Sequence, residues 1–236
     1  MKKVLWIFAI SLALYFFLKS EREVMVVATY SGPAEVAEPV LPQKVVGANV
    51  FRGGQSRGVG FLLDAGGRQF IVSALHVFVS QMTFRKEAEA NEDVPHELRL
   101  GEQVLAKSLR AYVPAHASWG SVTDCSGDFI AFSLPARVSD AQFLKLSRDH
   151  LSIGQPVWVY TVNGGTNVGL YKARLGMASN KVLRLEQSAA SGMISGSPVV
   201  NALGEVIGVV SQVGSGPGGN TQWAVPLAAL RKHFKL

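Results

Sequence analysis

Apolar residues along this chain form one long leader and then many short runs. Val4 to Leu18 (VLWIFAISLALYFFL) is fifteen residues without a charge, with Lys2 and Lys3 before it and Lys19 after it. From Val45 onward, β-branched and aromatic runs alternate with Gly-rich turns. This pattern predicts strands over Val45–Arg52, Gly58–Asp64, Phe70–Ser73, Leu98–Leu100, Gln103–Val113, Phe129–Ser133, Pro156–Thr161, Asn167–Ala178, Val182–Leu185, Pro198–Val200, Val206–Val213 and Gln222–Ala224. Ala65-Gly66-Gly67 and Ala202-Leu203-Gly204 read as hairpin turns. Many short strands at close spacing predict an all-β fold of barrels or sandwiches. The end differs. Pro226 followed by LAALRKHF puts proline at a first helical turn and basic residues in the last, which predicts a short C-terminal helix.

As a helix the leader spans about 22 Å, at 1.5 Å per residue, against a hydrocarbon core of about 30 Å. Flanking lysines can snorkel and the bilayer can thin. No A-x-A-like cleavage site follows, because Tyr15, Phe16, Phe17 and Leu18 run straight into Lys19. The length also fits the apolar core of a signal peptide, so residues 1–23 are expected to be an N-terminal membrane anchor or signal segment; the missing cleavage site favours the uncleaved anchor, with a cytoplasmic N-terminus and the rest of the chain beyond the membrane. Residues 24–44 are expected to be an extended linker. Its stretch 30–44 (YSGPAEVAEPVLPQK) carries three prolines, a composition that favours a semi-rigid spacer.

With 236 residues, 48% hydrophobic and 17% charged, the chain excludes wholesale disorder and holds one domain or two joined halves. The single cysteine, Cys125, excludes an intrachain disulfide and a Cys-based metal cluster. Net charge is +6. Residues 137–184 hold seven basic and two acidic residues, but the basic ones are dispersed, with no short Lys/Arg run. They read as a solvated surface; contact with nucleic acid or anionic lipid is open but unsupported.

Three segments carry chemistry together. Phe70-Ile-Val-Ser-Ala-Leu-His76 ends a strand and presents an imidazole. Gly127-Asp128-Phe-Ile-Ala brings a carboxylate into a buried strand. Ser195-Gly-Ser-Pro198-Val-Val sets a serine in a Gly-rich turn before another strand. A serine hydroxyl is a poor nucleophile unless a neutral imidazole takes its proton. A carboxylate must hold that imidazole in one tautomer, and backbone N–H groups must receive the forming oxyanion. Each segment alone is commonplace. Their conjunction, in the order His, Asp, Ser and meeting only through tertiary folding, points to nucleophilic hydrolysis.

These motifs resemble those of the chymotrypsin-like (trypsin-fold) serine peptidases. Gly204-Glu-Val-Ile-Gly-Val-Val-Ser211 and Gln222-Trp-Ala-Val-Pro-Leu extend the likeness, which covers about residues 45–236 and is similar in style to disulfide-free bacterial periplasmic and sobemovirus-like viral proteases. The resemblance implies two six-stranded antiparallel barrels, about 45–137 and 150–236, with the site in the cleft between them. It implies His76 as general base and acid, Asp128 as orienting carboxylate and Ser195 as nucleophile. It implies Ser211, Gln212 and Val213 on the strand that pairs with substrate backbone. Ala189, six residues before Ser195, falls at the base of the pocket for the residue preceding the cut. No acid stands there, so Arg/Lys preference is not expected and an apolar or small residue is the default.

One position departs from the family pattern. Two residues before the nucleophile, where glycine is usual, stands Met193. The oxyanion donors are then sought among Met193, Ile194 and Ser195, and a β-branched neighbour tolerates positive φ poorly. Ser191 and Ser197 are weaker nucleophile candidates, and Asp124 competes with Asp128 less well because the buried run follows Asp128. His96, His116, His150 and His233 read as surface or turn residues, and Trp119, Trp158 and Trp223 as packing. Cys125 reads as tolerated packing or a thiol near the site. No metal or cofactor is implied. The expected function is a membrane-tethered serine endopeptidase acting on protein or peptide, with its barrels periplasmic or extracytoplasmic, or on the cytosolic face in a viral setting. The alternatives are a catalytically inactive protease-fold binding module, or a viral polyprotein-processing protease with RNA or lipid binding.

Overall fold

Strands whose apolar residues run on without alternation must be covered on both faces. That is the case for FLLDA, FIVS and VWVYTV, and the covering is what organises this molecule. The structure is a computed structural model that describes residues 28–33, 35–41, 46–50, 56–79, 93–100, 103–114, 116–118, 120–134, 143–163, 167–188, 190, 193–216 and 219–235. The expected membrane anchor at residues 1–23 lies outside them, as do Ala189, Ser191 and Trp119. Among the described residues no helix is long and apolar enough to cross a membrane.

The strands in chain order are β1 (Ala28–Thr29), β2 (Val46–Val50), β3 (Ser56–Ala65), β4 (Arg68–Ser73), β5 (Asp93–Leu100), β6 (Gln103–Tyr112), β7 (Ile130–Ser133), β8 (Leu144–Lys145), β9 (Ser152–Ile153), β10 (Pro156–Asn163), β11 (Asn167–Ala178), β12 (Leu183–Ser188), β13 (Pro198–Val200), β14 (Val206–Gly216) and β15 (Gly219–Pro226). A four-residue helix α1 (His76–Val79) follows β4, and α2 (Leu227–Phe234) ends the chain. The expected strands and C-terminal helix are present. Three two-residue strands, β1, β8 and β9, are too short to leave a periodic signal.

The second half closes into a six-stranded barrel, β10-β11-β12-β15-β14-β13, antiparallel throughout. In the first half the pairings β2-β5-β6-β7-β4-β3 return to β2, so these strands also form a ring, with β8 added in parallel on β3. Gly66-Gly67 is the two-residue turn between Ala65 and Arg68, which pair directly. The later hairpin is set by Asn201, whose Oδ1 accepts from the N–H groups of Leu203 and Glu205 at 3.0 and 2.9 Å.

Burial explains the continuous runs. Leu62, Ile71, Ile130 and Phe132 fill the first barrel, and Val157, Val159, Leu175, Leu183, Leu185, Ile207 and Val210 fill the second. The alternate residues Phe61, Leu63, Phe70, Val72 and Phe129 face Trp158, Tyr160, Val200, Val206 and Val209 in a third core between the barrels. One face of each strand therefore packs inside its barrel and the other against the neighbouring barrel. Trp158 is fully buried there. Trp223 is half-buried against Gly214.

Residues 28–33 and 35–41, expected as a spacer, carry one short strand and lie against the folded part. β1 pairs in parallel with β9, Tyr30 N donates to Ile153 O at 2.8 Å, and Val36 and Leu41 pack on the inter-barrel core.

Helix α2 latches the second barrel to the first. Leu227, Leu230 and Phe234 enter the inter-barrel core, and Arg68 Nη2 on β4 donates to Phe234 O at 2.8 Å. His233 differs from its reading as a surface residue. Its ring is half-buried and stands edge-on to Phe129, 4.9 Å between centroids. Burial, then Arg68, then His116 hold its pKa below the ordinary 6.5. The unfolded chain thus takes up a proton near pH 6.5 that the folded chain refuses until lower pH. Stability contributed by the neutral ring is present above pH 6.5 and is lost as pH falls from there to the depressed folded value. His233→Gln is expected to flatten the melting-temperature profile below pH 6.5, read by thermal melts across pH; an unchanged slope in the variant assigns that dependence elsewhere.

Candidate active site

The site forms where three chain segments arrive at the inter-barrel seam. β4 ends at the buried Ser73, the buried Ala74 and Leu75 follow it, and α1 begins at His76, whose side chain is 30% exposed. Asp128 lies just before β7 and is 0% exposed. Its carboxylate is held by three donors. His76 N donates to Oδ1 at 3.0 Å, the His76 imidazole meets Oδ2 through Nδ1 at 2.8 Å, and the Ser211 hydroxyl donates to Oδ2. A carboxylate removed from water costs several kcal/mol unless such donors replace its hydration. With Nδ1 carrying the proton toward Asp128, Nε2 is left as the acceptor on the open side of the ring.

Ser195 comes from the loop before β13. Its Oγ meets Ser211 O at 3.4 Å, so Ser211 touches the serine through its carbonyl and the aspartate through its hydroxyl. His76, Asp128, Ser211 and Ser195 are thereby joined by one run of hydrogen bonds. The loop is fixed to both barrels. Ser195 O accepts from Val59 N of β3 at 2.8 Å, and Gly196 N donates to Val210 O of β14 at 2.8 Å.

Gly196 has φ +89°, and a Cβ there would stand 2.0 Å from Val59 O and 2.4 Å from Ser73 Oγ. At Gly58 an added Cβ would stand 2.9 Å from Ser195 O and 2.7 Å from Val77. Both positions require glycine for close backbone approach. Met193, Ile194 and Ser195 do not have positive φ. The departure at Met193 therefore imposes no left-handed conformation on that residue; among the described residues of Met193–Pro198 the positive φ is at Gly196. Ile194 is buried in the second barrel, while the Met193 side chain is 67% exposed. Among the described residues neither Met193 N nor Ser195 N donates a backbone hydrogen bond.

The rival residues separate cleanly. Ser197 is fully buried and donates to Thr161 at 2.8 Å, which removes it as a nucleophile. Asp124 accepts from Ser126 Oγ at 2.6 Å and Ser126 N at 3.1 Å, while the hydrogen bonds of His76 go to Asp128. Val213 is exposed and Gln212 half-buried on β14. β13 pairs with β14 only as far as Val209, so among the described residues one backbone edge of Ser211–Val213 has no strand beside it. Groups of three or more His, Cys, Asp or Glu able to hold a metal ion are absent among the described residues. Ser211 was expected only through its backbone. Its hydroxyl contact with Asp128 spans 83 residues of sequence and leaves no local signal.

Cys125 is buried, and its Sγ donates to Ser121 O at 3.2 Å. Burial pushes the thiol up to about 11, against an ordinary 9.0. It is an inert packing group at neutral pH.

This chain has the fold of the chymotrypsin-like serine proteases. It is similar to the Rv3671c protease of Mycobacterium tuberculosis in an inactive, serine-to-alanine form, with 16% identity over 89% of this chain and 96% of that one and a TM-score of 0.56. It is similar to the serine protease of a human pathogenic astrovirus, with 18% identity over 81% and 94% of the two chains and a TM-score of 0.53. It is also similar to the human heparin binding protein, with 14% identity over 83% and 92% and a TM-score of 0.57. No family model matches the sequence, and no curated protein matches it.

At pH 8 about one thiol in a thousand would be ionised at Cys125, so its alkylation by iodoacetamide is expected to be roughly 100-fold slower in the folded chain than in urea. Mass spectrometry over time checks this, and equal rates would contradict the buried placement.

Proposed function

We propose that this chain is a serine endopeptidase, with Ser195 as nucleophile, His76 as general base and acid, and Asp128 as the orienting carboxylate. The observation that carries the reading is the continuous hydrogen-bond run from His76 through Asp128 and Ser211 to Ser195. In the first half-reaction the Ser195 hydroxyl, turned from Ser211 O toward His76, loses its proton to Nε2 as Oγ attacks the scissile carbonyl. The N–H groups of Met193 and Ser195 are the donors for the oxyanion. His76 then returns the proton to the leaving amine, and an acyl-enzyme remains. Water, deprotonated by the same nitrogen, cleaves that ester and restores Ser195. The free edge of Ser211–Val213 receives the substrate as an added strand.

A second reading is a protease fold that binds without cutting. It is favoured by Ser195 Oγ lying against Ser211 O. Fold likeness does not choose between the two, because function resides in the site rather than the fold. Fluorophosphonate labelling of the full chain does choose. An adduct mapped to Ser195 and absent from Ser195→Ala is expected, with peptide hydrolysis in the variant lower by about 10⁵–10⁶-fold. A folded chain that takes no adduct supports the binding module instead.

We further propose that residues 1–23 tether the chain to a membrane, with the barrels on its extracytoplasmic side and protein or peptide as partner. The support is the uncharged run from Val4 to Leu18 between lysines. Full-length chain is expected to stay with the membrane pellet through alkaline carbonate washing, and a chain lacking residues 1–23 to leave it. Release of the full-length chain would remove the tether.

A further inference from the structure

The interior of the second barrel is apolar except at its mouth. There, on β15, Gln222 is 0% exposed. It pairs with Leu185 of β12 on one side and Val213 of β14 on the other. Cross-strand partners share a face, so Gln222 stands with Leu185 and Ala224 in the barrel lining. Its Nε2 donates to Ala190 O at 3.1 Å. Ala190 lies five residues before Ser195, and its N–H is held by Ser188 Oγ at 3.2 Å. A carbonyl only accepts, so the amide nitrogen must be the end turned toward Ala190. The other end, Oε1, is then directed away from that contact. Among the described residues it is buried without a partner, as are Gln69 Oε1, Trp158 Nε1, Arg184 Nε and Gln212 Nε2; of these five residues Gln222 is the one in line with the second barrel's lining residues Leu185 and Ala224.

An unpaired buried acceptor is disfavoured, and in native proteins it commonly marks a functional group. We propose that Gln222 is the specificity-determining residue of the site, its Oε1 accepting a hydrogen bond from a neutral donor on the substrate residue that precedes the cut. The favoured side chains are the amides and hydroxyls of Gln, Asn, Ser and Thr. This replaces the apolar default drawn from Ala189, and it rests on the reading of Ser195 as nucleophile.

The chemistry narrows the class from both sides. An apolar side chain leaves Oε1 unpaired. A carboxylate faces an acceptor, while the amide hydrogens are directed at Ala190 O. A Lys or Arg needs a counter-charge, which one amide oxygen does not supply. The nearest acid on β12, Glu186, is half-buried beside Arg184, bonded to it at 2.6 Å. It is adjacent in sequence to Leu185 and therefore on the opposite face of the strand from the lining.

The test uses the full chain and internally quenched peptides that differ only in the residue before the cut, with fluorophosphonate labelling in parallel. Gln is expected to exceed Leu in kcat/KM by about tenfold or more, the range set by one unpaired buried acceptor. Gln222→Leu is expected to reverse that ratio. Gln222→Met, closer in shape, serves if the leucine variant does not fold, and the wild-type ratio is informative without either. Labelling at Ser195 with Leu, Phe, Arg or Lys preferred, or with a ratio unmoved by the variants, overturns the role of Gln222 and leaves the hydrolase standing. Absence of both labelling and cleavage overturns the two together.

Discussion

The approach of two backbones at the barrel seam governs this structure. Val59 of the first barrel donates to Ser195 O of the second, and Gly58 and Gly196 leave room for nothing larger than hydrogen beside that contact. Everything chemical follows from that closeness. His76 is fixed to the first barrel through β4 and Asp128, and Ser195 to the second through Gly196 N and Val210 O. Neither barrel holds the set alone. The inter-barrel core of Phe61, Leu63, Phe129, Trp158, Tyr160 and their neighbours supplies the apolar burial that keeps the seam shut, at roughly 1.5–3 kcal/mol for each large side chain buried.

Buried polarity is placed sparingly and mostly paired. Asp128 has donors from a backbone amide, an imidazole and a hydroxyl, which orient His76 as well as offset the lost hydration. Ser211 links that carboxylate to the serine loop, so one residue of β14 ties the two barrels' contributions together. Ser197 and Thr161 satisfy each other. Five buried side-chain atoms among the described residues are unpaired, and Gln222 Oε1 differs from the others in belonging to the second barrel's lining, beside the exposed Val213 with which its residue pairs.

The Met193 position shows how a local pattern can mislead about strain. Glycine is usual there, and its replacement suggested a distorted oxyanion loop. Among the described residues of the loop a positive φ is found at Gly196 and not at Met193, while Ile194 roots the loop in the second barrel's interior. Met193 itself is largely exposed to solvent.

Much of this was legible in one dimension. Strand runs, the Gly66-Gly67 hairpin and the proline-started helix α2 are written in short-range patterns, because side-chain period and turn chemistry act over a few residues. His76, Asp128 and Ser195 were legible as types in order. The pairing of His76 with Asp128, and of Asp128 with Ser211, was not, because contacts across 52 and 83 residues of sequence leave no trace in local pattern. The same holds for β1 against β9, for His233 against Phe129 and for Gln222 against Ala190. Short-range pattern was enough for the elements and for the chemical types available. Which of them touch, which are dry, and which buried polar atoms are left without a partner follow from the packing of the two barrels and not from any segment alone.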